Sequence, residues 1–404
     1  MSEFPKNFCY APFIHMYIHS NEGERVCCMS TDEMDNMVEE WTETDLKKRW
    51  TNEYLTSIRR DFLDNKRPSM CSKCFALEDS GGTSDRNRFY NSYNELDIIP
   101  NIETGNQYNS PIDLDIRPGN LCNLGCRMCG PVASSVLQKE VTKDTTLEPV
   151  FGKGNIRESS VLQNEYNIEF LLKNADKGRR VKFLGGEPTI MPEVDKFLDI
   201  LIERNMLDVP IHFTTNCTNG NKRFIDKISK FNEISFNYSI DGIKNIVEYI
   251  RHPVKFNSIN KNIRVYHSLA SYGEITYTLQ AYNLFNLHDM LNWSSEIGIY
   301  TRPELLIAPD SLSCLSIPKK IRDKRIRILI KLLDNMETGN LNRSHIKKNV
   351  MPVLDRLYND DREFSLHDLA KRTKIVDRSR KQHIKDYVPE VWDFIKEEYD
   401  AIQL

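Results

Sequence analysis

The composition of this chain excludes several classes of protein. It has 404 residues, of which 40% are hydrophobic and 28% charged, so it is an ordinary globular chain with room for two or three domains. No apolar run could span a bilayer, and the N-terminal sequence MSEFPKNFCYAPF lacks the cationic and apolar regions of a signal peptide, so we expect a soluble cytoplasmic protein without a membrane partner. The ten cysteines occur in clusters, which favours metal binding in a reducing compartment over disulfides. The net charge of −3 indicates no particular partner.

The first region, residues 1–95, contains two pairs of cysteines. The sequence IHMYIHS predicts a strand, and the turn after it predicts a hairpin that returns to Cys27 and Cys28, beside Cys9. Neighbouring residues of a strand point to opposite faces, so only one of Cys27 and Cys28 is expected to bind a metal. A helix of amphipathic pattern then leads to the second pair. Together these residues predict a site of four thiolates, either structural zinc or iron–sulfur, made of Cys9, Cys71, Cys74 and one of Cys27 and Cys28.

A cysteine loop follows the predicted linker at residues 96–110 and the predicted strand 112–117. Its spacing is Cys122-x3-Cys126-x2-Cys129. Such gaps let three thiolates bind three irons of a cubane [4Fe–4S] cluster and leave the fourth iron open. A zinc knuckle completed by a distant histidine, or a purely structural cluster, is the alternative.

This loop resembles the CxxxCxxC signature of the radical S-adenosylmethionine (SAM) superfamily. The resemblance implies that the open iron binds the amino and carboxylate groups of SAM, and that a 5′-deoxyadenosyl radical abstracts a hydrogen atom from an unactivated carbon. The residue before the third cysteine is commonly aromatic in that family. Here it is Met128, whose thioether can pack against adenine.

Residues 111–315 alternate strand-like and helix-like segments. This alternation predicts an α/β fold, a partial (β/α)6 TIM-like barrel with its active site at the carboxyl ends of the strands, and the resemblance implies that the barrel is of the radical SAM type. Polar motifs do follow the predicted strands, as expected of such a site. The strands are predicted at 112–117, 180–184, 210–215, 233–240, 274–281 and 304–308.

The sequence Gly185-Gly186-Glu187-Pro188 follows the second predicted strand and resembles the SAM-binding motif of the superfamily. Glycines let the backbone approach a ligand, and a carboxylate can accept from the ammonium group of SAM. For the later strand ends, caps and solvated charges are the alternatives to cofactor binding, and a helix cap is the simplest role for Asp241. The remaining candidate cofactor-binding residues are Thr215, Asn216, Ser239, Asp241, Arg251 and Gln280.

The N-terminal cysteine pattern resembles the twitch (half-SPASM) module of radical SAM proteins, although it precedes the barrel here. The resemblance implies an auxiliary iron–sulfur cluster, of [4Fe–4S] type, that relays electrons or, with an open iron, binds substrate. Twitch- and SPASM-bearing relatives often modify peptides or proteins.

Residues 316–404 are predicted to be helical, at 319–336, 343–358, 364–381 and 388–402, and they are rich in lysine and arginine. This basic region could bind a nucleic acid or an acidic peptide. The simpler interpretation is that the charges lie on the solvated faces of amphipathic helices, because aromatic residues are not interleaved with them.

The sequence therefore predicts a radical SAM enzyme with a SAM-binding and an auxiliary cluster, a peptide or protein substrate, and an external flavodoxin- or ferredoxin-like electron donor. Modification of a small molecule, nucleotide or RNA by the same chemistry is the alternative. A non-catalytic iron–sulfur protein, serving in binding or electron transfer, is an alternative of another class. It is disfavoured because both the cysteine loop and the Gly-Gly-Glu-Pro motif are intact.

Overall fold

A computed structural model describes residues 4–19, 25–31, 45–154, 161–178, 180–334 and 343–403. Its strands form a seven-stranded sheet and a separate two-stranded ribbon. They are β1 (His15–His19), β2 (Pro100–Asn101), β3 (Gly105–Asn106), β4 (Asp113–Arg117), β5 (Arg180–Phe183), β6 (Ile211–Thr215), β7 (Ile234–Ser239), β8 (Tyr272–Leu279) and β9 (Tyr300–Leu305). The order in the sheet is β1-β4-β5-β6-β7-β8-β9.

Helices alternate with the strands from β4 onward and continue to the C-terminal region. They are α1 (Ala11–Ile14), α2 (Leu46–Trp50), α3 (Glu53–Leu63), α4 (Ser72–Asp79), α5 (Asp85–Tyr93), α6 (Ser135–Lys143), α7 (Glu148–Phe151), α8 (Glu165–Leu172), α9 (Pro192–Glu203), α10 (Lys222–Ile228), α11 (Lys244–Ile250), α12 (Phe256–Leu269), α13 (Leu287–Glu296), α14 (Lys319–Asp334), α15 (Arg343–His345), α16 (Met351–Tyr358), α17 (Leu366–Arg380) and α18 (Pro389–Ala401). No helix in the described ranges is long and apolar enough to cross a membrane.

The predicted α/β fold class is confirmed, but the sheet has one more strand than the six expected. Strand β1 pairs in parallel with β4, with His15 opposite Asp113. The predicted N-terminal hairpin is therefore wrong: residues 26–29 form bends and turns, and the expected turn at residues 21–23 lies outside the described residues. The reason is burial, since consecutive residues Met16, Tyr17 and Ile18 are all buried, as in a strand covered on both faces.

The chain divides into two compact units. The first contains Met1–Gly119, Ile156–Phe213 and Asp226–Ile234, and the second contains Asn120–Asn155, Thr214–Ile225 and Ser235–Leu404. The N-terminal cysteines and the Gly-Gly-Glu-Pro motif lie in the first unit, whereas the cysteine loop and the C-terminal helices lie in the second. The division into domains 1–95, 96–110, 111–315 and 316–404 stays a prediction.

In the first unit, α3 is joined to the segment expected to be a linker. The guanidinium of Arg59 is buried over the ring of Trp50, 4.6 Å from its centroid, and donates to the carbonyls of Pro12 at 2.8 Å and Glu103 at 3.1 Å. The indole of Trp50 donates to the Thr104 carbonyl at 2.8 Å. These bonds hold the β2–β3 ribbon against α3. Residues 100–106 are therefore packed against the rest of the first unit and do not form a free linker.

A buried ion pair joins the first three strands of the sheet. Oδ2 of Asp113 lies 2.6 Å from Nδ1 of His15, and Oδ1 accepts from Nε of Arg180 at 2.9 Å. Burial raises the pKa of this carboxyl, but Arg180 and His15 outweigh burial and hold the pKa well below its usual range. Among the described residues, His15 and Arg180 are therefore the partners that stabilise this buried charge.

We expect Asp113→Asn to lower the free energy of unfolding by about 1–3 kcal/mol near neutral pH, because it removes a buried carboxylate that binds both the partly exposed Arg180 and the buried His15. The folded pKa is depressed, so this stabilisation is present above the unfolded pKa of about 3.9 and is lost as the pH falls through the folded value. Urea unfolding from pH 7 down to pH 3 should show the two proteins converging. The exposed Asp176→Asn change, which removes a pair with Lys177, should leave stability unchanged at every pH. A gap that stays constant down to pH 3 would contradict the argument.

The C-terminal helices agree closely with their predicted ranges, with one break. The expected helix at 343–358 contains a π-helical turn, Ile346–Val350, just before α16. Pro352 lies in the first turn of α16 and has no N–H for an intrahelical bond, which accounts for the change of register.

Most basic residues of these helices, such as Lys324, Arg327 and Lys371, are exposed, as expected of solvated faces, but two arginines are buried. Arg322 is fully buried and donates to the Asp360 carbonyl at 2.7 Å. Arg372 is 8% exposed, and burial lowers its pKa to about 10. These guanidiniums bind carbonyl groups of the chain itself, so they do not form a surface for a nucleic acid.

Candidate functional site

The cysteine loop is fixed by hydrogen bonds within the second unit. The hydroxyl of Ser135, at the start of α6, accepts from the Cys122 N–H at 3.2 Å and donates to the Cys122 carbonyl at 3.1 Å. The N–H groups of Gly125 and Arg127 donate to the carbonyls of His252 at 2.7 Å and of Ile250 at 2.8 Å. The start of the loop is therefore positioned by the first residue of α6, and its middle by the C-terminal end of α11 and the residues just after it.

The three thiols of this loop lie together. The Cys129 N–H donates to the Cys126 carbonyl at 3.1 Å, and their thiols form a hydrogen bond that lowers the pKa of Cys126 and raises that of Cys129. Cys122 lies close enough to add to the charge felt by Cys129. Three cysteines in one short loop are the donor set that three irons of a cubane cluster require, and the hydrogen-bonded thiols of Cys126 and Cys129 would separate to bind different irons.

Arg251 links the cysteine loop to the carboxyl ends of β7 and β8. Its Nη1 lies 3.8 Å from Sγ of Cys126, and its Nη2 forms an ion pair with Oδ2 of Asp241 at 2.7 Å. Oδ1 of Asp241 accepts from the Thr278 N–H at 2.8 Å. Arg251 is only 7% exposed, so it is not a solvated charge.

The expected helix-capping role of Asp241 is wrong. Helix α11 starts after Ile243, whose side chain cannot cap it, whereas both carboxylate oxygens of Asp241 are used by Thr278 and Arg251. Asp241 is fully buried and its charge is compensated by Arg251. This carboxylate therefore orients a cation that contacts a cluster-loop sulfur.

Gln280 follows β8 and is fully buried. Its backbone N–H donates to Oδ1 of Asn283 at 2.8 Å, but its side-chain oxygen and nitrogen have no hydrogen-bond partner among the described residues. Nδ2 of Asn283 donates to the carbonyls of Asp241 at 3.0 Å and Thr278 at 2.9 Å. A buried amide with both groups unsatisfied is costly, so this side chain is suited to binding a polar ligand.

The other candidate cofactor-binding residues of the second unit are Thr215, Asn216, Ser239 and Met128. The first two form hydrogen bonds with other residues of the chain. The hydroxyl of Thr215 accepts from the Cys217 N–H at 3.1 Å. Asn216 donates to Oδ1 of Asn123, in the cysteine loop, at 3.1 Å. Ser239 ends β7 and is half-buried, as is Met128.

In the first unit, the Gly-Gly-Glu-Pro motif directly follows β5. The Gly186 N–H donates to the Gly119 carbonyl at 3.2 Å, which places this turn beside the segment after β4. Oε1 of Glu187 accepts from the hydroxyl of Thr189 at 2.5 Å and from its N–H at 3.2 Å, so this buried carboxylate caps the next helical turn. A ligand that binds the Glu187 carboxylate would therefore share it with the hydrogen bonds from Thr189.

We expect Gly185→Ala to lower the free energy of unfolding by about 1–3 kcal/mol. Gly185 has a φ of +113°, and a Cβ there would lie 2.9 Å from the Gly119 carbonyl oxygen. Gly119→Ala is the matched control, because a Cβ at that position meets nothing within 4 Å. Equal losses in the two variants, measured by urea unfolding, would contradict the steric argument.

Comparison with known proteins places these features in a family context. Residues 116–286 match the model of the Radical SAM superfamily. This radical SAM region, less than half of the chain, includes the cysteine loop, the Gly-Gly-Glu-Pro motif, Asp241, Arg251 and Gln280. A search of curated proteins found no match.

Three solved structures show weak overall similarity. Streptococcus suis SuiB bound to precursor peptide SuiA is 16% identical, with 87% of this chain and 81% of that chain covered and a TM-score of 0.38. Native anSMEcpe with bound AdoMet and Cp18Cys peptide is 16% identical, with 55% and 58% covered and a TM-score of 0.37. TYW1 with a lysine-pyruvate adduct is 14% identical, with 57% and 77% covered and a TM-score of 0.32. The chain spans less than two thirds of the anSMEcpe chain, and similarities this weak carry no argument about function.

Outside the radical SAM region, four N-terminal cysteines lie in one neighbourhood of the first unit. Burial and the nearby thiols of Cys71 and Cys74 raise the pKa of Cys9. The pKa of Cys27 is likewise raised, first by burial and then by the thiols of its neighbour Cys28 and of Cys9 and Cys74. These mutual effects place Cys9, Cys27, Cys71 and Cys74 near one another although they come from separate segments.

Cys28 faces different groups. Cys28 is exposed, and the charged groups that act on its pKa are the carboxylates of Asp115 and Asp85, which raise it, and the cations Arg117 and Lys182, which lower it; three of these four lie on β4 or β5. The two adjacent cysteines therefore have different surroundings, although the strand on which that expectation was based is not formed.

No three His, Cys, Asp or Glu side chains in the described ranges are arranged to hold a single metal ion. In a cubane cluster each thiolate binds a different iron, so the sulfur atoms stand farther apart than ligands of one ion. The lack of a single-ion arrangement among the described residues therefore does not count against cluster binding by these cysteines.

Sequence reasoning missed the residues that hold the cysteine loop from the C-terminal side. Arg127, inside the loop, and Asp377, on α17, form an ion pair at 2.6 Å in which neither side chain is more than 1% exposed. One signal was available: Leu369, Thr373, Val376 and Asp377 fall on one stripe of α17, so a carboxylate lies on its buried face. A charge at a core position indicates a buried partner.

Proposed function

We propose that this chain is a radical SAM enzyme that acts on a peptide or protein. The observation that carries the proposal is the group of three thiols, Cys122, Cys126 and Cys129, beside the Arg251–Asp241 pair, within a region that matches the radical SAM model. A purely structural cluster would not require a buried cation with its orienting carboxylate beside a ligand sulfur.

The SAM-binding cluster would be held by the three cysteines of the loop. Bound there, the [4Fe–4S] cluster and SAM supply a 5′-deoxyadenosyl radical for hydrogen abstraction. Arg251 places positive charge beside Cys126, and Asp241 keeps that side chain in position. Gln280 offers a donor and an acceptor in a site without water contact. The residues proposed to contact SAM are Met128, Gly185, Gly186, Glu187, Thr215, Asn216, Ser239, Asp241, Arg251 and Gln280.

We also propose an auxiliary iron–sulfur cluster on Cys9, Cys27, Cys71 and Cys74. Their proximity in the first unit supports a four-thiolate site, and full ligation by cysteine suits electron transfer better than substrate binding. Electrons would come from an external flavodoxin- or ferredoxin-like donor.

A peptide or protein substrate follows from the resemblance of this N-terminal region to twitch modules. The competing RNA interpretation depended on a basic C-terminal surface. Arg322 and Arg372 are buried and bonded to carbonyl groups, which removes part of the support for that interpretation.

Anaerobic reconstitution of the full chain with iron and sulfide tests the proposal. About eight irons per chain and formation of 5′-deoxyadenosine from SAM under dithionite are expected for two cubane clusters, one of them active. Zinc in place of iron, or an intact cluster that does not cleave SAM, would leave a metal-stabilised binding or electron-transfer protein. Binding to RNA that falls steeply with salt would instead favour the nucleic-acid alternative.

A further inference from the structure

Helix α17 binds the cysteine loop through the buried carboxylate of Asp377. Oδ1 of Asp377 accepts from Nη2 of Arg127 at 2.6 Å and from the hydroxyl of Tyr249 at 2.8 Å. Its Oδ2 accepts from the Ile384 N–H at 2.8 Å. Asp377 is fully buried, so it joins the cysteine loop, α11 and the segment after α17 at one point.

In the sequence, Arg127 lies between two candidate ligands, Cys126 and Cys129. Both its side chain and its backbone carbonyl are bound by other parts of the second unit. Its guanidinium stacks 3.6 Å from the ring centroid of Tyr249, and its carbonyl accepts from Nη2 of Arg372 at 2.8 Å. The backbone of the loop is therefore fixed by residues more than two hundred positions away in the sequence.

A second arginine of α17 reaches the same loop. Arg380 pairs with Oε2 of Glu140 at 2.7 Å, and its side chain is 3% exposed. Its Nη2 lies 2.9 Å from the position that a Cβ on Gly125, the residue before Cys126, would occupy. Glycine at position 125 leaves the space that this guanidinium fills.

The buried charges around the loop do not balance. The three guanidiniums of Arg127, Arg372 and Arg380 face two carboxylates, Asp377 and Glu140, which leaves one positive charge in excess. Buried nitrogens of all three arginines also have no hydrogen-bond acceptor among the described residues. An excess buried cation with unused donors needs an anion nearby. Three thiolates on a cubane cluster would supply it.

We propose that α17 is a positioning element for the catalytic cluster: Asp377 and Arg372 fix the loop at Arg127, and Arg380 supplies charge that favours the reduced state of a cluster on Cys126. This inference rests on the proposed function. One-electron reduction adds a negative charge to the cluster, so a buried cation beside it makes reduction more favourable. These arginines contact the protein and not the substrate, so they act through the loop.

The first test is the reduction potential of the SAM-binding cluster, measured by titration with EPR detection in a Cys71→Ala/Cys74→Ala background. Arg380→Gln should make reduction about tenfold less favourable, a shift of about 59 mV for one electron. Arg380→Lys, which keeps the charge, and Arg378→Gln, which removes an exposed arginine of the same helix, should shift it much less. An unchanged potential in Arg380→Gln would overturn the charge role.

If Arg380→Gln assembles no cluster, its potential cannot be measured, and Arg380→Lys then decides whether the charge at this position is needed. A cluster retained by Arg380→Lys would support the need for charge. Loss in both variants, with Arg378→Gln intact, would contradict it, because the geometry of the guanidinium and not its charge would then matter.

The second test needs no cluster. Hydrogen–deuterium exchange of the metal-free full chain should show amides 125–127 exchanging about tenfold faster or more in Asp377→Asn, since the buried pair with Arg127 is weakened. Arg378→Gln should match the wild type. Unchanged exchange in Asp377→Asn would overturn the positioning role, whereas absence of a cluster in the wild type would reject the proposed function and leave this result standing.

Discussion

Replacing Cys122, Cys126 and Cys129 together with alanine should abolish SAM cleavage and remove about four of the irons bound by the reconstituted chain. Loss of groups that merely support metal ligands already costs 10–100-fold, so we expect the loss of all three ligands to lower 5′-deoxyadenosine formation by more than about a hundredfold. Iron analysis and chromatographic detection of 5′-deoxyadenosine under dithionite measure both effects.

Cys314→Ala is the matched control for this experiment. Cys314 is 2% exposed and lies in the second unit, but away from the cysteine loop in sequence, and its burial raises its pKa to about 12. It should therefore keep all irons and full cleavage. A triple variant that retains the wild-type iron content would show that the loop does not hold the cluster.

The second large effect concerns two neighbouring cysteines. Cys27→Ala should remove about four irons from the chain, whereas Cys28→Ala should keep them, because Cys27 lies near Cys9 and Cys74 while Cys28 faces Asp115, Arg117 and Lys182. Iron content and the EPR spectrum of the reduced protein distinguish the two variants. The SAM-binding cluster should remain in both.

The reverse result, loss of iron only in Cys28→Ala, would show that the ligand assignment is inverted. Equal loss in both variants would indicate that the substitutions unfold this region, which circular dichroism would detect. Retention of all irons in both would contradict an auxiliary cluster that includes either cysteine.

Features encoded locally could be predicted from the sequence. The strands β4 to β7 lie within two residues of their expected bounds, since each shows alternation or an apolar run between turn residues. The cysteine loop was also evident, because its spacing is contained in eight residues from Cys122 to Cys129. The ends of β9 and the π-helical turn were not, since tertiary packing and Pro352 decide them.

Features that depend on distant partners could not be predicted. Strand β1 looked like half of a hairpin, but it pairs with β4, and only the position of Asp113 opposite His15 reveals why. Arg372 and Arg380 of α17 looked like surface charges, as Arg378 is, because a sequence pattern does not show which polar groups a helix will meet. Asp241 likewise precedes a helix, yet its carboxylate binds Arg251 and Thr278.

The pairing of β1 with β4 also has a consequence for the order in which the protein is made. His15 and Asp113 are separated by 98 positions, so a ribosome working at about 5–20 residues per second needs roughly 5–20 s between the two. During that time the first strand has been synthesised but its neighbour has not, and its backbone groups and apolar side chains remain exposed to the cell. The N-terminal segment therefore depends on early protection, by nascent structure or by a chaperone at the exit tunnel, until the sheet can take it up.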